Sequence, residues 1–449
     1  MRPRQGVPLP IDIARAGRIS AVVTALLAPA QPASAAVDIQ WWHAMPGELG
    51  RELEKLAADF NATQSDYRIA PVFKGLYTET LTAALFAFRS SQHPAIVQVA
   101  EVATATMMAA HGAVYPVFEL MRDEREAFDR AAYVPAIAGY YADMDGNLLS
   151  FPFNASTPIL YYNKDQFRLA GLDAATPPKT WPEIEAAGKA LRAAGIACGF
   201  TTHWPSWVNI ENFSAYHNLP IATAANGLGG LHAALAIDNP AVVKHVRALA
   251  EWQKTKIFDY GGRATRAEPK FYGSQCGMFL GSSGSRAEIL ANAKFEVGYG
   301  LLPYWPDVDG APQNSIIGGA TLWVLKQRPA TEYRGVAKFF AYLSRPEVQA
   351  RWHQATGYLP VTHAAFDLTR VQGFYDRNPG ADISIRQITL NPPTINSKGL
   401  RLGSFVLIRD IVEDEMEQAF AGRKPAEEAI KAAVERGDAL LRQFEAANR

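Results

Sequence analysis

Apolar and polar positions along this chain switch repeatedly between a strand-like and a helical rhythm. VDIQWW (37–42) reads as a strand, and directly after it Leu49, Leu53, Leu56 and Phe60 fall on one helical face. YRIAPVF (67–73) is the next strand, Leu81, Leu85 and Phe88 mark a second helix, and PAIVQVA (94–100) is a third strand. Strands alternating with helices of this length predict a parallel α/β sheet.

A second alternation begins after FPFNASTPILYYN (151–163). Thr180-Trp181-Pro182-Glu183 is a capping box with proline in the first turn, opening a helix that runs through Leu191. IACGF (196–200), CGMFL (276–280), FEVGYGLL (295–302) and ATLWVL (320–325) return to strand character, and the last hundred or so residues are mainly helical. No repeat and no low-complexity linker separates the two alternations. Two α/β lobes are therefore expected, with the chain crossing between them more than once.

The N-terminus follows a different pattern. Arg2, Arg4, Arg15 and Arg18 precede the apolar run ISAVVTALLAP (19–29), and Ala33-Ser34-Ala35 follows it. This is the layout of a secretory signal peptide over residues 1–35, with cleavage expected after Ala35. The run is shorter than the roughly 20 apolar residues that a membrane span needs. No cysteine stands at the cleavage point to carry a lipid anchor, so the mature chain is expected free in an exported compartment.

Composition narrows the function. The 449 residues carry 44 basic and 44 acidic side chains, so there is no basic surplus to neutralise a nucleic acid backbone. Cys198 and Cys276 are the only cysteines, an even number suited to a disulfide in an oxidising space, provided that their strands are neighbours. No CxxC or Cys/His cluster points to a metal, and neither a phosphate-binding GxxxxGK[ST] nor an HExxH is present. Gly281-Ser282-Ser283-Gly284 falls one residue short of a GxSxG nucleophile elbow.

Polar residues instead gather where strands end, which is where open α/β sheets bind ligands. Tyr77 follows the 67–73 strand, Glu101 follows PAIVQVA, and Ser282 and Ser283 follow CGMFL. Trp204 and Trp207, in THWPSWVN, follow IACGF in what reads as a loop. A carboxylate, a phenol, hydroxyls and an aromatic pair suit a small polyhydroxylated molecule. Each also has a structural reading. Glu101 and the serines can cap the helices that follow them, the tryptophans can fold back on their own core, and Gly318-Gly319 can be a bulge or a close backbone approach.

PAIVQVAEVATATMMA, FNASTPILYYNKD, PQNSIIGGATLWV, WHQATGYLPVT, QGFYDRNPGAD and KGLRLG carry a resemblance that runs from about residue 38 to the C-terminus. The chain resembles the extracellular solute-binding proteins of ABC importers, in the branch that binds sn-glycerol 3-phosphate; maltodextrin-binding proteins belong to the same family. The resemblance implies a two-lobed periplasmic-binding-protein fold of type II with a hinge-closing cleft. Lobe 1 would hold residues 36–155 plus 301–356 and lobe 2 residues 156–300 plus 357–449. Crossings are expected near Asn154 to Pro158, around Gly300 and near Gly357.

Matched motif by motif, the ligand contacts would be Tyr77, Glu101, Ser156, Trp204, Trp207, Ser282, Gly319, Tyr358 and Arg409. Arg409 suits a phosphate through its planar fork, with Ser156, Ser282, Tyr358 and Gly319 completing the shell. Tyr77 and Glu101 suit glycerol hydroxyls, and the tryptophans would stack on the polyol chain. Ala100 stands where family members carry an aromatic, which bears on pocket size. The implied function is non-catalytic capture of sn-glycerol 3-phosphate, or glycerophosphodiesters such as glycerophosphocholine. The implied partners are the membrane permease subunits and ATPase of an ABC importer. A periplasmic monomer without cofactor or metal is expected. The competing readings are an oligosaccharide-binding protein of a related importer and a secreted glycerophosphodiester hydrolase.

Overall fold

Three strands expected from the first alternation lie side by side, in a computed structural model that describes residues 35–110 and 112–449. The expected signal peptide falls, apart from Ala35, outside the described residues. β1 (Val37–His43) pairs in parallel with β2 (Tyr67–Phe73) and with β3 (Ile96–Ala100). The helix Gly47–Asn61 joins β1 to β2 and buries Leu53, Leu56 and Phe60, the stripe that the spacing predicts. The helix Tyr77–Arg89 departs from expectation. It buries Thr80, Leu81 and Ala84, while Leu85 is 46% exposed and Phe86 66%. Small residues along that stripe let the helix lie close on the sheet, so the larger apolar side chains turn outward.

β4 (Val114–Tyr115) and β5 (Phe151–Ser156) complete the early part of this sheet, and then the chain leaves it within one residue. Thr157 alone separates β5 from β6 (Pro158–Asn163), which belongs to a second sheet. β7 (Cys198–Thr202), β8 (Cys276–Ser282) and β9 (Val297–Gly300) join β6 there, in the order β7-β8-β6-β9. β10 (Gly318–Leu325) then returns to the first sheet, whose order is β2-β1-β3-β10-β4 with β5 also on β10.

Neither sheet is wholly parallel, contrary to the prediction from alternation. β10 runs antiparallel to β3, β4 and β5, and β6 runs antiparallel to β8 and β9. A crossover helix carries the chain back to the end where the previous strand began, which enforces parallel pairing. β10 has no such helix before it. It arrives from the other sheet at the carboxyl end of β3, with Ala320 opposite Ala100, and can only run the other way.

Each sheet has its own core. Trp41, Leu53, Phe60, Phe339 and Phe340 pack around the first, with the Phe60 and Phe339 ring centroids 5.1 Å apart. Trp181, Phe200 and Trp252 pack around the second. The helix that positions Trp181 opens with the expected capping box, in which Thr180 and Glu183 satisfy each other's backbone N–H groups. The links that carry the chain between the two sheets, from β5 to β6 and from β9 to β10, lie against one another. Thr157 Oγ1 and Ser315 Oγ are 2.5 Å apart, Gln387 Nε2 donates to both at 3.4 and 3.3 Å, and Leu359 N donates to Ala155 O at 2.8 Å.

Cys198 and Cys276 stand directly opposite each other on the parallel pair β7 and β8, and a disulfide joins them across 78 residues of chain. Closing a loop of this length restricts the unfolded chain and is worth ~2–4 kcal/mol. The Cys198→Ala/Cys276→Ala protein is therefore expected to unfold at lower urea concentration by that margin. Thiol titration of the denatured, unreduced protein is expected to find none. Two free thiols, with an unchanged midpoint in the double variant, would show that the bridge does not form.

Candidate functional site

The first sheet brings Glu101, one residue past β3, and Ser156, the last residue of β5, to the same edge. From the second sheet come Trp204 and Trp207 beyond β7 and Ser282 at the end of β8. Gly319 is the second residue of β10, Tyr77 opens the helix after β2, Tyr358 follows the helix Pro346–Thr356, and Arg409 sits in the helix Phe405–Phe420. All nine border one cavity of about 390 Å³.

Arg409 is the most constrained of them. Its Nε and Nη2 donate to the two oxygens of Glu211 at 2.8 and 2.6 Å, and Nη2 also reaches Glu101 Oε1 at 2.9 Å. All three side chains are nearly buried, with 11%, 2% and 4% exposure for Arg409, Glu211 and Glu101. Burial alone would lower the guanidinium pKa, but Glu211 and Glu101 together carry it above its ordinary value. Burial pushes the Glu101 carboxyl up; Arg409 pulls it down and Glu211 pushes it up again. Nη1 has no hydrogen bond among the described residues, so one edge of the fork is open for a ligand.

The opposite wall is aromatic and phenolic. Tyr77 and Trp204 face each other with ring centroids 6.1 Å apart. Asn154 Nδ2 donates to Tyr77 Oη at 3.1 Å, and Asn154 in turn accepts from Gln98 Nε2 at 2.8 Å, so the phenol is held by a buried amide pair. Tyr358 stacks on Trp352 with the ring planes 6° apart. Burial pushes its phenol up to about 12, so it stays protonated and can donate.

THWPSWVN is not a loop throughout. Trp204 sits at φ +41°, a left-handed backbone unusual for a bulky residue, fixed by its N–H on Ala264 O at 3.0 Å. Trp207 then starts a π-helical turn, Trp207–Asn212, that is buried throughout. The Trp207 ring is 4% exposed and lies so close over Gly318 that a Cβ there would fall 2.4 Å from it. Trp204 is only partly buried. The pair is thus a buried backing and a cavity-facing partner. Gly319 is equally determined: at φ +97°, a Cβ would meet Asn154 O at 1.9 Å.

Ser282 keeps both of its possible roles. Its Oγ accepts from Gly284 N at 3.0 Å, capping the short turn that follows, while the residue also lines the cavity. Beside it lies a set that the sequence did not disclose. Ser282 N donates to His203 Nε2 at 2.6 Å, which makes Nδ1 the protonated nitrogen, and Nδ1 donates to Glu268 Oε1 at 2.8 Å. The serine, histidine and carboxylate are those of a hydrolytic triad, but the imidazole accepts from an amide and the hydroxyl oxygen is engaged as a cap. This arrangement orients the Ser282 turn and activates no nucleophile.

Glu211, Glu288, Asn154, His203 and Glu268 escaped the sequence reading. Glu211 lies in a mixed stretch, VNIENF, with no motif, and only the π-helical turn aims it at Arg409. Glu288, which lines the cavity, accepts through Oε2 from Glu48 N at 3.3 Å, at the start of a helix whose N-cap residue, Pro46, has no capping side chain.

Residues 55–381 match the family described as bacterial extracellular solute-binding protein. The chain is 48% identical over 433 residues to the sn-glycerol-3-phosphate-binding periplasmic protein UgpB of Yersinia pseudotuberculosis, covering 96% of this chain and 98% of that one. It is 50% identical over 418 residues to the protein of the same name from Salmonella paratyphi A, covering 93% and 95%. Among solved structures it is similar to UgpB from Mycobacterium tuberculosis in complex with glycerophosphocholine. That likeness has a TM-score of 0.76 at 21% identity, over 91% of this chain and 99% of that one. The fold is thus the expected two-lobed one.

The contrast between the tryptophans is open to measurement. Trp207→Ala, which empties a buried site over Gly318, is expected to cost ~3–5 kcal/mol in urea unfolding without ligand. Trp204→Ala is expected to cost about 1 kcal/mol or less. Equal losses would make Trp204 a core residue and not a cavity wall.

Proposed function

Because the chain belongs to the bacterial extracellular solute-binding protein family, we propose that it captures sn-glycerol 3-phosphate, or a glycerophosphodiester such as glycerophosphocholine, and delivers it to an ABC importer. The observation that carries this reading is the cavity wall. The open Nη1 of Arg409, Ser156, Ser282 and Tyr358 offer donors for a phosphate, while Tyr77 and Trp204 offer a phenol and an indole to a short polyol. The names of the relatives point the same way.

The volume of about 390 Å³ is at the low end of ligand pockets, roughly 300–1,000 Å³, yet leaves room beyond a three-carbon phosphate. This favours acceptance of the diesters as well. Lobe 1 comprises residues 36–155 plus 301–356 and lobe 2 residues 156–300 plus 357–449. They close about crossings near Asn154 to Pro158, around Gly300 and near Gly357, and the bonds of Thr157 to Ser315 and of Leu359 to Ala155 support this reading. The mature chain works as a periplasmic monomer, released by cleavage after Ala35. Its partners are the permease subunits and ATPase of the importer.

Calorimetry with glycerol 3-phosphate, glycerophosphocholine, maltose and inorganic phosphate tests the assignment. The first two are expected to bind and maltose to give no heat. Incubation with glycerophosphocholine is expected to release no choline. Tight maltose binding without phosphate-ester binding would move the protein to the oligosaccharide branch, and released choline would make it a hydrolase.

A further inference from the structure

We propose that the cavity takes its phosphate group with a single negative charge, and that Glu211 sets this preference by neutralising Arg409. This rests on the phosphate-ester reading above and adds to it the ionic form that is bound and the residue that selects it.

The charges around the cavity carry the argument. Glu101, Glu268 and Glu288 line it, and Glu211 stands behind Arg409. Against these four carboxylates are two guanidiniums, Arg266 and Arg409. His203 adds no charge, since its Nε2 accepts an amide proton. Arg409, the one buried cation at the wall, already faces two carboxylates at 2.6 and 2.9 Å. A dianion placed on Nη1 would meet a guanidinium whose charge is compensated, in a low-dielectric site where like charges repel strongly. A monoanion keeps the hydrogen bond to Nη1 and halves that repulsion.

No other cation packs on the Arg409–Glu211 pair among the described residues, and Arg266, the second guanidinium on the cavity lining, is exposed, where water and salt screen its charge. From the same helix come Asp410 and Glu413; from the helix Pro135–Tyr141 comes the Tyr140 phenol; from the turn after β3 comes Glu101. Arg263 lies beyond and is engaged by Glu417 and Asp414. Tyr77 and Tyr358 remain neutral phenols. Glu211 is bidentate on Arg409 and is further held by Ser206 Oγ at 3.1 Å, so the compensation is built in.

A phosphate monoester loses its second proton near pH 6, whereas a diester has none to lose. If only the monoanion binds, the apparent Kd of glycerol 3-phosphate rises on the order of 50-fold from pH 6 to pH 8, as the competent fraction falls. Glycerophosphocholine provides the internal control. Burial pushes Glu413 up to about 7, so it titrates in the same window, and any effect of it would fall on both ligands.

The experiment is calorimetry of the wild-type protein with both ligands at pH 6, 7 and 8, and of Glu211→Gln, which keeps the shape and removes the charge. Expected are the steep rise for the monoester, less than about a threefold change for the diester, and a monoester dependence below about fivefold in Glu211→Gln. Near pH 7.5, wild-type titrations in buffers of different ionisation heat should show uptake of close to one proton per glycerol 3-phosphate and close to none per diester. A flat monoester profile overturns the proposal even without the variant, as does a parallel loss of both ligands. A wild-type slope retained in Glu211→Gln removes Glu211 from the role. Failure of both ligands to bind at any pH would instead overturn the phosphate-ester reading, and this inference with it; failure of glycerol 3-phosphate alone overturns this inference.

Discussion

A buried guanidinium between two carboxylates from different sheets is the constraint on which the site depends. Arg409 meets Glu101, placed by the end of β3, and Glu211, placed by the π-helical turn beyond β7. None of the three tolerates burial alone, since an unpaired buried charge costs several kcal/mol. The helix Phe405–Phe420 must therefore deliver Arg409 to the point where both sheets end. It is anchored at its other end by Arg263, which reaches Asp414 and Glu417 at 2.5 and 2.7 Å. The same placement puts Arg409 on the cavity lining with Nη1 free of hydrogen bonds among the described residues.

Backbone packing sets the rest of the wall with little freedom. Gly318 accommodates the Trp207 ring and Gly319 passes against Asn154 O, so two adjacent positions admit no side chain. Asn154 also orients Tyr77, whose ring lies beside that of Trp204 on the same wall. A change at Gly318 would therefore act first on Trp207 and the turn that aims Glu211. Thr157, on the link between β5 and β6, and Ser315, on the link between β9 and β10, are tied together and to Gln387 beside this point.

What was legible in the sequence follows from where the information is local. Strand and helix periodicity located β1 to β3, β7 and β8, and the capping box at Thr180 marked a helix start, because each depends on a few consecutive residues. Strand ends also pointed to Tyr77, Glu101 and Ser282, and matched motifs to Ser156, Tyr358 and Arg409. The direction of β10 was not legible, since it depends on the route of the whole chain through the second sheet. Nor was the division of labour between Trp204 and Trp207, which a left-handed residue and a π-helical turn decide. Glu211 had no signal at all: its partner is 198 residues away.

With Nε and Nη2 of Arg409 held by Glu211, the proposed phosphate site has only Nη1 of that side chain to use. A crystal structure of the protein with glycerol 3-phosphate bound tests it most directly. Expected is a phosphate oxygen within hydrogen-bond distance of Arg409 Nη1, with Nε and Nη2 still on Glu211. A phosphate bound away from Arg409, or an Arg409 fork turned wholly onto the phosphate with Glu211 released, would contradict it.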